Sequence, residues 1–371
     1  MKSNMKSLKL LVLSIIALML SACVHTNNVL EIFDKNNTNA QFRGILDVIK
    51  ETDKNVNILF VHGMGGYSST DGVSDPCKVV NDLKENLKTE QVIDTSNKNS
   101  LLNCTGKINN QGQVISIQSN YWGNLTWLTK DILRDHDHDP IIVKHRSKST
   151  TFIKDNLFND GFADAVMYTG EAKKAIKDSL VASIKRLNDS NSNAITIIVT
   201  FSLGSKIVVD TVQEMSANKT LGPLENSVEM VYLMANQIPL INTGDRRDYF
   251  PYEGEESNAD KKETFTSELT AKYERFNLLL TPTLSSSRIK DRIKIVAFTD
   301  PNDLLSYTLN AKTMGNLKDN YVNVGISVAT KTFYIPFYKD DGIVNYYKAH
   351  TGYVFNDKVR DFLLHGNKTK D

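Results

Sequence analysis

Cysteine is scarce in this chain, with three in 371 residues. That excludes a disulfide-dense scaffold and a zinc module built on four cysteines. Proline numbers 8 and glycine 19, so collagen-like and proline-rich architectures are out. An excess of one charge is also missing. Forty-four Lys and Arg oppose 43 Asp and Glu, for a formal net charge of +1. Without a basic surplus the chain has no electrostatic footprint for a phosphate backbone, which argues against a generic nucleic-acid binder. Long apolar runs are lacking too. The longest, Leu10 to Leu20, has about eleven residues, short of the ~20 that a spanning helix needs. What remains is an ordinary globular balance, 40% apolar and 23% charged. The length suits one large domain or two small ones with a sizeable core.

The first 22 residues read as a leader. Lys2, Lys6 and Lys9 precede the apolar run, and no acid accompanies them. Basic, then apolar, then small is the layout of a secretory signal. The run ends Leu20-Ser21-Ala22-Cys23, which resembles the lipobox of bacterial lipoproteins. The resemblance implies cleavage before Cys23 and acylation of its thiol, giving a lipid-anchored protein of the bacterial cell envelope. Val24 after the cysteine, rather than Asp, points to the outer membrane if the host has one. Loss of the three lysines takes the mature chain to a net charge of −2. With Cys23 lipidated, only Cys77 and Cys104 remain. In an oxidising compartment such a pair most simply forms one disulfide, the alternative being two free thiols.

After a polar tether and a first ordered segment (23–52), apolar strand-like runs alternate with helical patterns. Val56 to Val61 is a run rich in β-formers that stops at His62-Gly63-Met64-Gly65-Gly66. Asp75-Pro76 reads as an N-cap with proline at the first helical position. Val114 to Tyr121 alternates as a strand, and Phe158 to Leu187 is expected as one helix. Ile195 to Phe201 is a second buried run, breaking at Ser202-Leu203-Gly204 before a helical pattern through Met215. Met230 to Met234, Ile293 to Phe298 and Tyr321 to Ala329 are further strands, and Val354 to Leu364 is the last helix. Alternation of this kind predicts an α/β fold, a mostly parallel sheet with helices on both faces. Residues 241–292 are polar and irregular, and are expected to form a cap-like insertion in a domain running from 53 to 371.

Three segments carry the chemistry. Thr200-Phe201-Ser202-Leu203-Gly204 lies between a buried strand and an amphipathic helix. A serine on so sharp a turn is exposed at the sheet edge as a nucleophile, and Gly204 supplies the small residue that close backbones require. Thr200 stands where glycine is usual. His62-Gly63-Met64-Gly65 can aim a backbone amide at a developing oxyanion, and the amides of Met64 and Leu203 are the expected pair. His62 orients the loop rather than serving as base. A phosphate-loop reading fails, because no Gly-Lys-Ser/Thr follows. Chain order Ser, acid, His leaves only His350 and His365 after Ser202. His350, in Lys348-Ala349-His350-Thr351-Gly352-Tyr353, is the expected base, because His365 ends a helix. Asp303 in Asp300-Pro301-Asn302-Asp303 is the expected acid, with Asp300 as its rival.

Taken in order, these segments resemble the α/β-hydrolase superfamily, especially bacterial lipases and esterases, over roughly residues 53–367. The resemblance implies a triad of Ser202, His350 and Asp303 that cleaves carboxylic esters through an acyl-enzyme, with no metal and no organic cofactor. The partners implied are an ester or lipid substrate and the membrane. The same triad would also serve an acyltransferase or thioesterase, and the fold without the chemistry would make a binding lipoprotein. Asp135-His136-Asp137-His138-Asp139-Pro140 lacks the acid and histidine that a zinc-hydrolase pattern needs next and is expected as a solvated acidic loop. Tyr121-Trp122-Gly123 and Trp127 are expected to pack in the core or line an acyl pocket. Asp245, Arg246, Arg247 and Asp248 read as a surface charge cluster.

Overall fold

A nine-stranded sheet organises the chain in its computed structural model, with strand order β1-β9-β8-β7-β6-β2-β5-β4-β3. The residues described are 29–33, 41–65, 76–89, 91–92, 104–222, 224, 227–244, 263, 267, 270–271, 294–310, 314, 320–329, 331–334 and 342–367. The leader, Cys23, the Asp245–Asp248 cluster and nearly all of the 241–292 insertion lie outside them. In chain order the strands are β1 (Val29–Phe33), β2 (Val56–Val61), β3 (Gln91–Val92), β4 (Gly106–Asn110), β5 (Gln113–Asn120), β6 (Ile195–Phe201), β7 (Val228–Met234), β8 (Ile295–Thr299) and β9 (Tyr321–Ile326). Strands β5, β2, β6, β7, β8 and β9 run parallel to one another. Antiparallel β1 closes one edge and the antiparallel β4 and β3 close the other.

The central strands are apolar because both of their faces are covered. Every residue of β2, β6 and β7 is buried. On one face pack helices α1 (Ile45–Glu51), α2 (Pro76–Leu87) and α9 (Asp357–His365), through Ile45, Val79, Val80, Val359 and Leu363. On the other pack α6 (Ala172–Ser190) and α7 (Gly204–Ala217), through Ile176, Leu180, Ile207 and Val212. Each such side chain contributes about 1.5–3 kcal/mol when taken out of water. The segment 23–52 thus adds a strand and a helix to the same sheet and core. Its Phe42 amide donates to Asn367 Oδ1 at 2.7 Å, so the two ends of the described domain clasp one another. Cys77 at the start of α2 is disulfide-bonded to Cys104 ahead of β4, with the two Cα atoms 5.3 Å apart.

Several expectations need correction. The helix expected over Phe158–Leu187 is broken. A wide π-helical stretch, Lys154–Phe162, runs into α5 (Ala163–Thr169), and Gly170 then departs from helical geometry (ψ −140°) before α6 begins. Asp135 to Asp137 belong to the end of α3 (Trp127–Asp137), not to a solvated loop. Asp137 is buried there, taken up by Arg146 at 2.7 Å, by Lys154 and by Asn159 at 2.8 Å. The last helix starts at Asp357, because the Asn356 side chain caps the amides of Lys358 and Val359. The strand expected to reach Ala329 stops at Ile326. Among the described residues no helix is long and apolar enough to cross a membrane.

Helix α4 (Lys148–Ile153) and its neighbours between β5 and α6 form a helical excursion over the carboxyl edge of the sheet. Phe152 meets Tyr347 edge-on there, with ring centres 5.6 Å apart. The described chain therefore builds cover over the edge from residues 123–170.

Candidate active site

The strand order reverses between β2 and β6. From β2 the chain moves outward to β5, and from β6 it moves the other way through β7, β8 and β9. Such a reversal leaves a crevice beyond the carboxyl ends of the two strands, where α/β sheets bind ligands. His62-Gly63-Met64-Gly65 follows β2, and Ser202 follows β6. The loops therefore meet at that crevice.

Ser202 occupies the left-handed region with φ +51°, rare for a residue bearing a Cβ. Its amide is held by the Met234 carbonyl at 2.8 Å, which supports the turn. The two glycines are required by close approach. A Cβ on Gly204 would lie 2.5 Å from the Val61 carbonyl oxygen, and one on Gly63 would lie 2.7 Å from Ser202 Cβ. Thr200, in place of the usual glycine, is buried and directs its hydroxyl at the Tyr232 carbonyl of β7, 3.5 Å away.

Three side chains distant in sequence converge here. Ser202 Oγ lies 2.8 Å from His350 Nε2. His350 Nδ1 lies 2.8 and 3.0 Å from the two oxygens of Asp303. His350 is on α8 (Tyr346–Thr351), started by the Asn345 side chain, which caps the Lys348 amide. Burial alone would raise the Asp303 carboxyl; the charge and hydrogen bond of His350, with the Leu305 amide, hold it below the ordinary carboxylate range. An ionised carboxylate only accepts, so Nδ1 carries the proton, and in the neutral imidazole Nε2 is then the acceptor for Ser202 Oγ–H. Asp300 does different work. Its Oδ2 accepts from the amides of Val328 at 2.7 Å and Ala329 at 3.1 Å, and its Oδ1 from Asn302.

Met64 and Leu203 flank the serine, and neither amide has an acceptor among the described residues. His62 heads the glycine loop directly after β2. Its ring packs on Tyr121 with centres 5.1 Å apart, and burial pushes its imidazole down to about 4, so it stays neutral near pH 7. Trp122 is fully buried and donates its indole N–H to the His62 carbonyl at 3.0 Å, whereas Trp127 is half exposed. A small pocket beside Ser202 is lined by apolar groups of Met64, Phe201, Met234, Tyr353 and Val354. Asp137, His138 and Asp155 draw close enough to share an ion, but Arg146, Lys154 and Asn159 already engage the Asp137 oxygens.

Three residues were not anticipated. The Tyr353 hydroxyl accepts from the Asp300 amide at 2.7 Å and donates to Asp303 Oδ2 at 3.2 Å, tying both acids to one phenol. Burial and the Asp303 charge raise that phenol well above its ordinary value, so it remains a donor. Gln237 is fully buried with its Nε2 3.5 Å from His350 Nε2. Asp164 reaches the glycine loop from α5. Only Tyr353 had a local signal, since it stands three residues after the histidine. The chain matches no protein-family model, and no curated protein matches it.

Proposed function

We propose that this protein is a serine hydrolase of the α/β-hydrolase type that cleaves carboxylic esters. The relay from Asp303 through His350 to Ser202, each step within hydrogen-bond distance, carries this reading. Ser202 Oγ attacks the ester carbonyl while His350 Nε2 takes its proton. Charge develops on the carbonyl oxygen, and the amides of Met64 and Leu203 are the donors to receive it. One such donor is typically worth 10²–10³ in kcat. His350 then returns the proton to the departing alkoxide, leaving an acyl-enzyme. Water, deprotonated by the same imidazole, releases the acid and restores the serine. Asp303 keeps the imidazole in the productive tautomer. The apolar pocket suits an acyl chain, and the lipobox-like Cys23 adds a lipid anchor that would hold the enzyme at the cell envelope.

A fluorophosphonate probe tests the proposal. Wild type should be labelled and should hydrolyse p-nitrophenyl esters, while Ser202→Ala should do neither. Absence of labelling on wild type, or equal labelling of Ser202→Ala, would refute the catalytic reading in favour of a binding role.

A further inference from the structure

Asp164 is one of the few charged side chains completely shut off from solvent. It sits at the start of α5, about a hundred residues from the glycine loop, yet its Oδ2 accepts the Gly65 amide at 2.7 Å. Thr126 Oγ1 donates to Oδ1 at 2.7 Å, and Lys130 Nζ to Oδ2 at 3.0 Å. Lys130 is itself buried, and Asp160 takes a second of its hydrogens at 2.8 Å. Burial drives the Asp164 carboxyl upward, while Lys130, Thr126 and Gly65 oppose that rise. A pair of this kind gives little net stability, since well-packed apolar residues of similar volume commonly do as well. What an apolar residue cannot do is fix the direction of a backbone amide.

The amide fixed is adjacent to Met64. Gly65 has φ +86°, a conformation that lets the chain turn sharply after Met64. The loop's other end is also fastened, because the His62 amide bonds to the Asn120 carbonyl at 3.1 Å and the His62 carbonyl accepts from Trp122. Between these fastenings, the Met64 amide is left without an acceptor among the described residues. An oxyanion donor works only if it lies within about 2.7–3.1 Å of the developing charge, so small rotations of this peptide matter.

We infer that Asp164 is a positioning residue for the reaction, holding the Met64 amide in the oxyanion hole through its bond to Gly65. The inference rests on the esterase reading. Asp164 touches neither substrate nor Ser202. It couples the helical excursion over the sheet edge to the electrostatics of the transition state, and Lys130 and Thr126 hold its two oxygens in place.

The test compares wild type, Asp164→Asn and Asp160→Asn on p-nitrophenyl butyrate and on a trifluoromethyl ketone. The ketone forms a bond from Ser202 Oγ to its carbonyl carbon. The carbonyl π electrons become an oxyanion, and the serine proton passes to His350. Asp164→Asn keeps the shape and one acceptor oxygen but replaces the other oxygen with an amide donor. It should lower kcat by roughly 10–100-fold, below the 10²–10³ of a lost donor, with KM within about twofold. Affinity for the ketone should fall by a similar factor. Asp160→Asn, which leaves the Gly65 contact intact, should keep kcat within about threefold of wild type. If Asp164→Asn does not fold, Thr126→Val should shift kcat and ketone affinity the same way by about 3–10-fold. An active wild type with unchanged kcat and ketone affinity in Asp164→Asn overturns the inference alone. Equal losses in Asp164→Asn and Asp160→Asn also overturn it, as general loosening of the helices. A wild type that neither reacts with fluorophosphonate nor turns over ester ends the esterase reading as well.

Discussion

Acidification should weaken the fold through one side chain, His62. Its imidazole is held down to about 4 from an ordinary 6.5. Burial is the main cause, assisted by the nearby charge of Lys130 and partly offset by a hydrogen bond with the Gly65 backbone and by Asp160. In the unfolded chain the ring takes a proton as pH falls through 6.5, but in the folded chain it resists until about 4. The unfolded state therefore binds more protons across that window. Stability is fully present above about pH 6.5, declines as pH falls, and levels off below about 4. The gap between those two values, at about 1.36 kcal/mol per pH unit, corresponds to about 3 kcal/mol at full extent. The assay is urea unfolding at closely spaced pH values between about 4 and 7.5, for wild type and His62→Gln. Carboxylates titrate in both proteins, so the difference between the two curves isolates His62. It should change by about 3 kcal/mol across the window, with wild type losing more. Parallel curves would show that the imidazole is hydrated in the folded protein, and would refute its burial in a neutral form beside Tyr121.

Asp303→Asn should reduce kcat by about 10³–10⁴-fold through the wrong imidazole tautomer, whereas Asp300→Asn should lower the urea midpoint and spare kcat; the reverse ranking would exchange their roles. His350→Ala should abolish turnover with an unchanged circular dichroism spectrum, and retained activity would move the base elsewhere. Gly204→Ala places a methyl within 2.5 Å of the Val61 carbonyl oxygen and should cost both stability and labelling rate, checked by thermal melting and fluorophosphonate kinetics. Reducing Cys77–Cys104, which spans 27 residues, should cost about 3 kcal/mol, measured with and without reductant.

The strands at the centre of the sheet were legible because burial on both faces writes itself as unbroken runs, as in Val56–Val61 and Ile195–Phe201. The edges were not. Strand β4 (Gly-Lys-Ile-Asn-Asn) buries only Ile108, and its pairing with β5 depends on a tight turn at Gln111 and Gly112, both with positive φ. Local pattern also missed the break at Gly170, because apolar residues recur at helical spacing on both sides of it. Ser202 and Asp303 were recoverable because each closely follows a buried strand, and His350, which the structure places on α8, because chain order left only it and His365. Asp303 could be favoured over Asp300 only by its distance from the strand; the structure adds that Asp300 is consumed by the amides of Val328 and Ala329. Asp164 had no signal at all. Its meaning comes from a turn in another part of the chain, and a lone Asp on a mixed helix looks like solvent-facing charge.

The clasp between Phe42 and Asn367 ties the start of the helical core at α1 to the stretch that ends at residue 367. The stretch that delivers the imidazole also carries Val359, Leu363 and Leu364, the plug that seals one side of the interior. A copy cut short before residue 342 forfeits its proton acceptor and its keystone together. On the esterase reading, a nascent or clipped chain stays inert toward esters until that stretch is in place.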